Sequence, residues 1–295
     1  MAKYSCGGKV IVLGEYACLQ GYDALVAITQ PAFSLNTDQD CGSSNLGLPS
    51  RIHAESPAGK LLKRYQAHTS SVVFHDPYAT PIGVGSSSAQ FLLFWRWLNP
   101  QSDPVNNNAD RHRLMTEYFE CATHAESERP SGVDVLAQLY NAFGVVHPRA
   151  YSFSAVPSPK FSGVLLLFTG QKMKTHEHLR ELSKKKLLTN NFVNDLNDIT
   201  QAGIMALRNI RSDLDTFYRS INQYQELLSS VIPSPKDYIN KMIYLKTVSG
   251  VYAVKGCGAQ GGDSVLMFYD RAKQHGIQNA INAIGWQPFP MVMDK

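Results

Sequence analysis

The sequence has few cysteines and no long apolar run, and each of these absences excludes a class of protein. Its five cysteines include no Cys-x-x-Cys pair, so neither a zinc site nor a complete disulfide framework is indicated, and a reducing compartment is the simpler interpretation. Apolar runs such as residues 164–168 are far too short to span a bilayer, and the first residues show no uninterrupted apolar stretch before a cleavage site. We therefore expect a cytoplasmic protein with no membrane partner.

The sequence also lacks a strong excess of either charge. Its net charge is +4 over 295 residues, and the one dense basic run, residues 184–186, has no interleaved aromatic residues that could stack on bases. Nucleic acid is therefore not an expected partner, whereas small anionic molecules suit a mildly basic chain. The length favours two modest domains that pack closely.

The Walker phosphate-binding pattern G-x-x-x-x-G-K-[ST] is missing as well. Gly8-Lys9 is followed by valine, and Gly59-Lys60 is followed by leucine. A P-loop kinase is therefore disfavoured, and a nucleotide would need a different phosphate-binding element.

The predicted helices and strands form two groups on either side of Pro157-Ser158-Pro159, where two prolines disfavour helix and central strand. Before this point, patterning predicts strands at 9–13, 24–28 and 71–74, a surface excursion at 36–60, and helices at 89–95, 110–128 and 133–143. After it, patterning predicts strands at 163–168 and 264–269 and helices at 176–188, 191–230, 235–248 and 271–284. The pattern indicates an α+β fold with domains at 1–157 and 158–295.

The most specific local feature is residues 81–88, Pro-Ile-Gly-Val-Gly-Ser-Ser-Ser, which run directly into an apolar helix. We call them the glycine–serine loop. Glycines allow the backbone to approach a ligand closely, and a helix start supplies free amide donors with a partial positive charge. Serine hydroxyls can bind phosphate or magnesium. Taken alone, a flexible loop with a serine helix cap is the commoner explanation.

Two further segments carry residues suited to chemistry. Residues 129–134, Arg-Pro-Ser-Gly-Val-Asp, form a predicted turn that delivers an aspartate at the head of a helix, where it could accept or orient a hydroxyl proton. Residues 255–263, which we call the C-terminal glycine segment, carry four glycines before a predicted strand. Alone, the aspartate could be an ordinary first-turn residue, and the glycine segment a long turn.

These three elements, preceded by Gly8–Gly21, together resemble the motifs of the GHMP kinase family, named for galactokinase, homoserine, mevalonate and phosphomevalonate kinases. Gly8–Gly21 is similar to the family's first motif, which begins with Gly-Lys and contains Gly-Glu-[His/Tyr]-Ala. Pro81–Ala89 is similar to its second motif, with valine in place of leucine. Lys255–Asp263 is similar to its third motif.

The resemblance implies an N-terminal domain like ribosomal protein S5 domain 2, a ferredoxin-like C-terminal domain, and ATP and a small acidic substrate bound between them. Asp134 and Lys9 would be catalytic and flank the accepting group. The ATP phosphates would be bound by Pro81, Gly83, Val84, Gly85, Ser86, Ser87, Ser88 and Ala89. The acceptor would be bound by Glu15, Tyr16, Ser131, Gly132, Gly258, Ala259, Gln260 and Gly261. The magnesium ion would be bound by Ser87 and Glu126.

The resemblance leaves the acceptor open between phosphomevalonate and mevalonate. Tyr16, residues 168–175 and Asp263 look closer to phosphomevalonate kinases, whereas residues 130–134 have the form typical of mevalonate kinases. Gln260 replaces a family glycine, and the family's magnesium-binding glutamate falls near Thr123, with Glu126 as a neighbouring substitute. A catalytically inactive metabolite-binding protein of the same fold is therefore the alternative, and the protein is expected to be a monomer or a homodimer.

Overall fold

The structure is a computed structural model, and it describes residues 3–37, 52–67, 72–78, 82–123, 129–157, 159–170, 187–209, 213–258 and 263–291. These residues form two antiparallel sheets and the helices that cover them, so the predicted α+β class is confirmed. Among the helices in these ranges, none is both long and apolar enough to cross a membrane.

The first sheet has five strands, and its centre is a long hairpin. Its strands are β1 Lys3–Leu13, β2 Ala24–Asn36, β3 Val73–His75, β4 Gly144–His147 and β5 Ser152–Ala155. β2 pairs with β1 along one edge and with β3 and β4 along the other, and β5 pairs with β4. The apolar run at 9–13 forms the last part of β1, and it is continuous because residues on both faces of the strand are buried there.

The α-helices in the described residues before position 157 are α1 Pro57–Arg64, α2 Ser86–Leu98, α3 Asn108–Ala122 and α4 Val133–Tyr140. The five consecutive apolar residues 91–95 of α2 are all fully buried, so the middle of this helix is enclosed by its neighbours on every side. A buried helix has a fixed position, and α2 therefore holds the glycine–serine loop at its start in place.

The second sheet has four strands in the order β7-β8-β6-β9, with bounds β6 Gly163–Phe168, β7 Val251–Cys257, β8 Ser264–Tyr269 and β9 Gln287–Pro290. Its helices are α5 Asn190–Arg208, α6 Leu214–Val231, α7 Lys236–Thr247 and α8 Gln274–Ala283. In β8, Met267 contacts the core beneath α7 and α8, while Phe268 contacts a larger core on the opposite face. Successive strand residues point to opposite faces, and the sheet therefore separates two cores.

The larger core is continuous between the two sheets. The ring of Phe161, just after the predicted linker, lies 6.4 Å from that of Phe143, 5.6 Å from that of Phe217 and 5.1 Å from that of Phe268. The two sheets are thus built from residues on either side of position 157 but share apolar contacts. The domain boundary at 157 stays a prediction.

Several predicted elements differ from the structure. The single helix predicted over 191–230 is wrong, because α5 ends at Arg208 and Asp213 caps the start of α6 by accepting a hydrogen bond from the Thr216 amide at 3.0 Å. The predicted excursion at 36–60 contains the start of α1, whose first turn is capped by Ser56. Strands β4, β5, β7 and β9 were not predicted. The helix expected at 176–188 falls almost wholly outside the described residues.

Candidate active site

Lys9 and Asp134, which are distant in sequence, form an ion pair. Lys9 lies on β1, and Asp134 lies in the first turn of α4, where Gly132 turns the chain with a φ of 77°. The Lys9 Nζ and Asp134 Oδ1 atoms are 2.7 Å apart, and the two side chains are 10% and 37% exposed. The lysine is therefore held inside the protein while the carboxylate reaches solvent.

Two opposing effects act on the charge of Lys9. Burial lowers the pKa of its ammonium group, but the charge and hydrogen bond of Asp134, together with the charge of Glu15, raise it by more. The pKa of Lys9 is therefore above its ordinary value. The side chain is a stable cation at neutral pH.

The glycine–serine loop is attached directly to the strand that carries Lys9. The backbone amide of Lys9 donates a hydrogen bond to the carbonyl of Val84 at 2.9 Å. Gly85, the N-cap residue of α2, has a φ of 83°, and a Cβ atom added to it would lie 3.1 Å from Cε of Lys9. Glycine is needed here because the backbone is left-handed and the lysine side chain passes close by.

The same loop also meets the C-terminal glycine segment. A Cβ atom on Gly83 would lie 2.8 Å from Cβ of Asp263, and Gly83 has a φ of 75°. The side chains of Lys9 and Asp263 therefore both lie beside the glycine–serine loop at the start of α2.

The three serines at the start of α2 differ in their surroundings. The hydroxyl of Ser86 donates to Oδ2 of Asp76 at 2.7 Å, and that of Ser88 donates to the carbonyl of Gly85 at 2.9 Å. Ser87 is exposed. The amide of Ala89 donates to Gly85 at 3.0 Å as the first regular bond of the helix, so the amides before it have no acceptor within α2.

One face of α4 joins β1 to the glycine–serine loop, and sequence reasoning missed its role. The amide nitrogen of Gln138 donates to the carbonyl of Gly85 at 3.0 Å and to that of Gly7 at 3.3 Å, and Asn141 accepts from the amide of Gly7 at 2.8 Å. Residues 134, 138 and 141 have helical spacing. Polar residues at this spacing in an otherwise apolar helix were the signal that could have identified them.

Glu15 and Tyr16 were predicted to bind the acceptor, and both are buried. One carboxylate oxygen of Glu15 contacts Nζ of Lys255, and the other accepts a hydrogen bond from the amide of Gly258 at 3.2 Å. Burial raises the pKa of Glu15, opposed by the charge of Lys255. Lys255 was recognised as part of a motif, but its partner was not predicted.

The remaining predicted residues lie beside the ion pair or outside the described residues. Ser131 accepts a hydrogen bond from the amide of Val133 at 3.3 Å and interacts with Cys18. Burial raises the pKa of the Cys18 thiol to about 12, so this cysteine is not a nucleophile at neutral pH. The predicted residues that lie outside the described ranges are Pro81, Glu126, Ala259, Gln260 and Gly261.

Known structures resemble this one over nearly the whole chain. A Lin0012 protein from Listeria innocua matches with a TM-score of 0.74 and 16% identity, covering 99% of this chain and 98% of that chain. L. major mevalonate kinase in complex with R-mevalonate matches with a TM-score of 0.73 and 15% identity, covering 98% and 95%. Streptococcus pneumoniae phosphomevalonate kinase in complex with phosphomevalonate and AMPPNP matches with a TM-score of 0.71 and 14% identity, covering 99% and 100%.

No protein-family model matches the sequence, and no match is found among curated proteins. The structural likeness shows the fold: the chain has the fold of the GHMP kinases, the family that its motifs resemble.

Proposed function

We propose that this protein is an ATP-dependent kinase that transfers the γ-phosphoryl group of ATP to phosphomevalonate or mevalonate. The observation that carries the proposal is the Lys9–Asp134 ion pair, placed beside Gly85 at the start of α2. The shared fold with mevalonate and phosphomevalonate kinases supports it.

The start of α2 suits the phosphates of ATP. Its first amides have no acceptor within the helix, and the helix dipole adds a partial positive charge at the same point. A side chain at Gly83 would collide with Asp263, and one at Gly85 would crowd Lys9, so glycine is needed at both positions. Glycines also allow the backbone to approach a ligand closely. This part of the chain would hold the triphosphate through its backbone.

Lys9 and Asp134 would act on the transferred group. Lys9 is a buried cation whose charge can stabilise the negative charge on the equatorial oxygens of the phosphoryl group during transfer. The partly exposed carboxylate of Asp134 can accept or orient the proton of an acceptor hydroxyl. For a phosphate acceptor, which is already ionised near neutral pH, Lys9 would matter more than Asp134.

The residues at the start of α2 also suit a magnesium ion that arrives with the nucleotide. Magnesium in such sites keeps several waters and takes only one or two protein oxygens. The exposed hydroxyl of Ser87 can supply one of them. When bound, the ion would neutralise charge on the β- and γ-phosphates.

A panel of acceptors tests the proposal. ATP consumption should be measured with mevalonate, phosphomevalonate, homoserine and sugars, and the expected result is turnover with one of the two mevalonate compounds. Thermal stability should be measured with the same ligands. Stabilisation by a ligand without ATP turnover would contradict the kinase and favour a metabolite-binding protein.

A further inference from the structure

Lys255 and Glu15 form a charged pair in the interior, where they join the two sheets. Lys255 lies on β7 of the second sheet and Glu15 follows β1 of the first, and their side chains are 0% and 8% exposed. Nζ of Lys255 also donates to the carbonyl of Ile11 at 3.3 Å and to that of Gly256 at 2.9 Å. The ammonium group therefore has an acceptor for each of its three hydrogens.

Stability alone does not explain a pair of this kind. Removing two charges from water is costly, and replacing a buried pair by apolar residues of similar size is often neutral or stabilising. A gain in folding stability therefore does not account for the pair, whereas its contacts hold a part of the backbone in place.

What the pair positions is the start of the C-terminal glycine segment. One oxygen of Glu15 is held by Lys255, and the other accepts the hydrogen bond from the amide of Gly258. Gly258 has a φ of 82°, so the chain turns at this bond. The hydroxyl of Tyr224 donates a hydrogen bond to the backbone carbonyl of Glu15, and this bond holds the main chain of Glu15 in place.

We propose that Glu15 and Lys255 are positioning residues for phosphoryl transfer, in which Lys255 orients Glu15 and Glu15 fixes the backbone at Gly258 relative to Lys9. The inference rests on the proposed function. Glu15 would thus act through a backbone amide, and not by binding the acceptor as the family resemblance implied. Its charge also helps to keep Lys9 protonated.

Two double variants separate this role from folding. Glu15→Gln with Lys255→Met removes both charges but keeps an oxygen that can accept from Gly258, whereas Glu15→Met with Lys255→Met removes the acceptor too. Both variants leave no unpaired buried charge, so we expect similar urea midpoints. We expect kcat to be at least about tenfold lower in the second variant than in the first, the scale of one lost hydrogen bond, with KM for ATP within about twofold. Equal kcat in the two variants would overturn the proposal.

Hydrogen exchange of the Gly258 amide in the unmodified protein gives a readout that needs no activity. An amide that donates to a buried carboxylate should exchange slowly, as should the amide of Gly256, which donates to Gln225 at 2.7 Å. Fast exchange at Gly258 beside slow exchange at Gly256 would contradict the positioning contact. Absence of turnover with every acceptor would instead refute the proposed kinase activity. The two outcomes can be told apart, because hydrogen exchange at Gly258 is measured without any activity.

Discussion

Two of the lysine–carboxylate pairs in the described residues, Lys9–Asp134 and Lys255–Glu15, use the same chemistry in different surroundings. In the Lys9–Asp134 pair the carboxylate is 37% exposed, whereas in the Lys255–Glu15 pair neither side chain exceeds 8% exposure. A carboxylate that reaches solvent can exchange its partner for a substrate. An enclosed carboxylate can only hold what already touches it, and the difference therefore separates a pair suited to reaction from a pair suited to positioning.

Replacing the exposed carboxylate is expected to have the largest effect on activity. Asp134→Asn should lower kcat by about 10²- to 10⁴-fold, because the amide can neither accept a proton nor pair with Lys9 as a charge. ATP affinity, measured by titration calorimetry, should change by less than about twofold. Asp237→Asn is the matched control, since Asp237 is also a first-turn aspartate paired with a lysine, at 2.8 Å, on α7. Unchanged turnover in Asp134→Asn would remove this residue from the mechanism.

Breaking the enclosed pair should have the largest effect on stability. Lys255→Met leaves Glu15 buried without its cation, and we expect the free energy of unfolding to fall by about 3–5 kcal/mol. Lys9→Met should cost less, because water can solvate the freed carboxylate of Asp134. Urea unfolding of the two variants checks the comparison. If the two losses were equal, the distinction between an open and an enclosed pair would be wrong.

A smaller effect is expected at Gln138 on α4, whose hydrogen bond to Gly85 holds the glycine–serine loop near the Lys9–Asp134 pair. Gln138→Met removes the hydrogen bonds to Gly85 and Gly7, and we expect KM for ATP to rise by about tenfold. Thr200→Val is the control, since Thr200 is fully buried on α5 and its hydroxyl donates to the carbonyl of Leu196 at 2.8 Å. It should lose comparable stability and leave KM for ATP unchanged. An equal rise in KM in both variants would indicate a general loss of stability.

The smallest effect concerns pH. Because the pKa of Lys9 is raised in the folded protein, its stabilising contribution is complete below the unfolded pKa of about 10.4 and is lost as pH rises through the higher folded pKa. Above the unfolded pKa of about 10.4, the free energy of unfolding should therefore fall more steeply with pH in the unmodified protein than in Lys9→Met. If chemical unfolding gave parallel pH profiles for the two proteins, the Lys9–Asp134 pair would add no stability.

Much of the fold was predictable where the signal is local. The run at 9–13 is continuous and apolar, and the glycine–serine loop stands directly before an apolar helix, so β1 and α2 could be placed from neighbouring residues alone. Strands β4 and β5 have only four residues each, too few to show a period. The break between α5 and α6 was missed because both helices carry the same amphipathic spacing.

The candidate site was predictable in its residue types but not in its contacts. The family resemblance identified Lys9 and Asp134 as candidates, while their approach to 2.7 Å depends on how α4 packs against β1. The contacts of Gln138 with Gly85 and of Lys255 with Ile11 and Glu15 were not predicted for the same reason, since these partners lie more than 50 positions away in sequence. Long-range packing determines such contacts, and a single sequence carries no local signal for it.

The aromatic cluster around Phe161 bears on attempts to divide the chain. Its ring meets partners contributed from both sides of position 157, so expressing residues 1–157 or 158–295 alone would leave large ring surfaces facing water. Each fragment would be prone to self-association, and the two would recover a native-like complex only when mixed. Split-protein reassembly is therefore the natural engineering use of this junction.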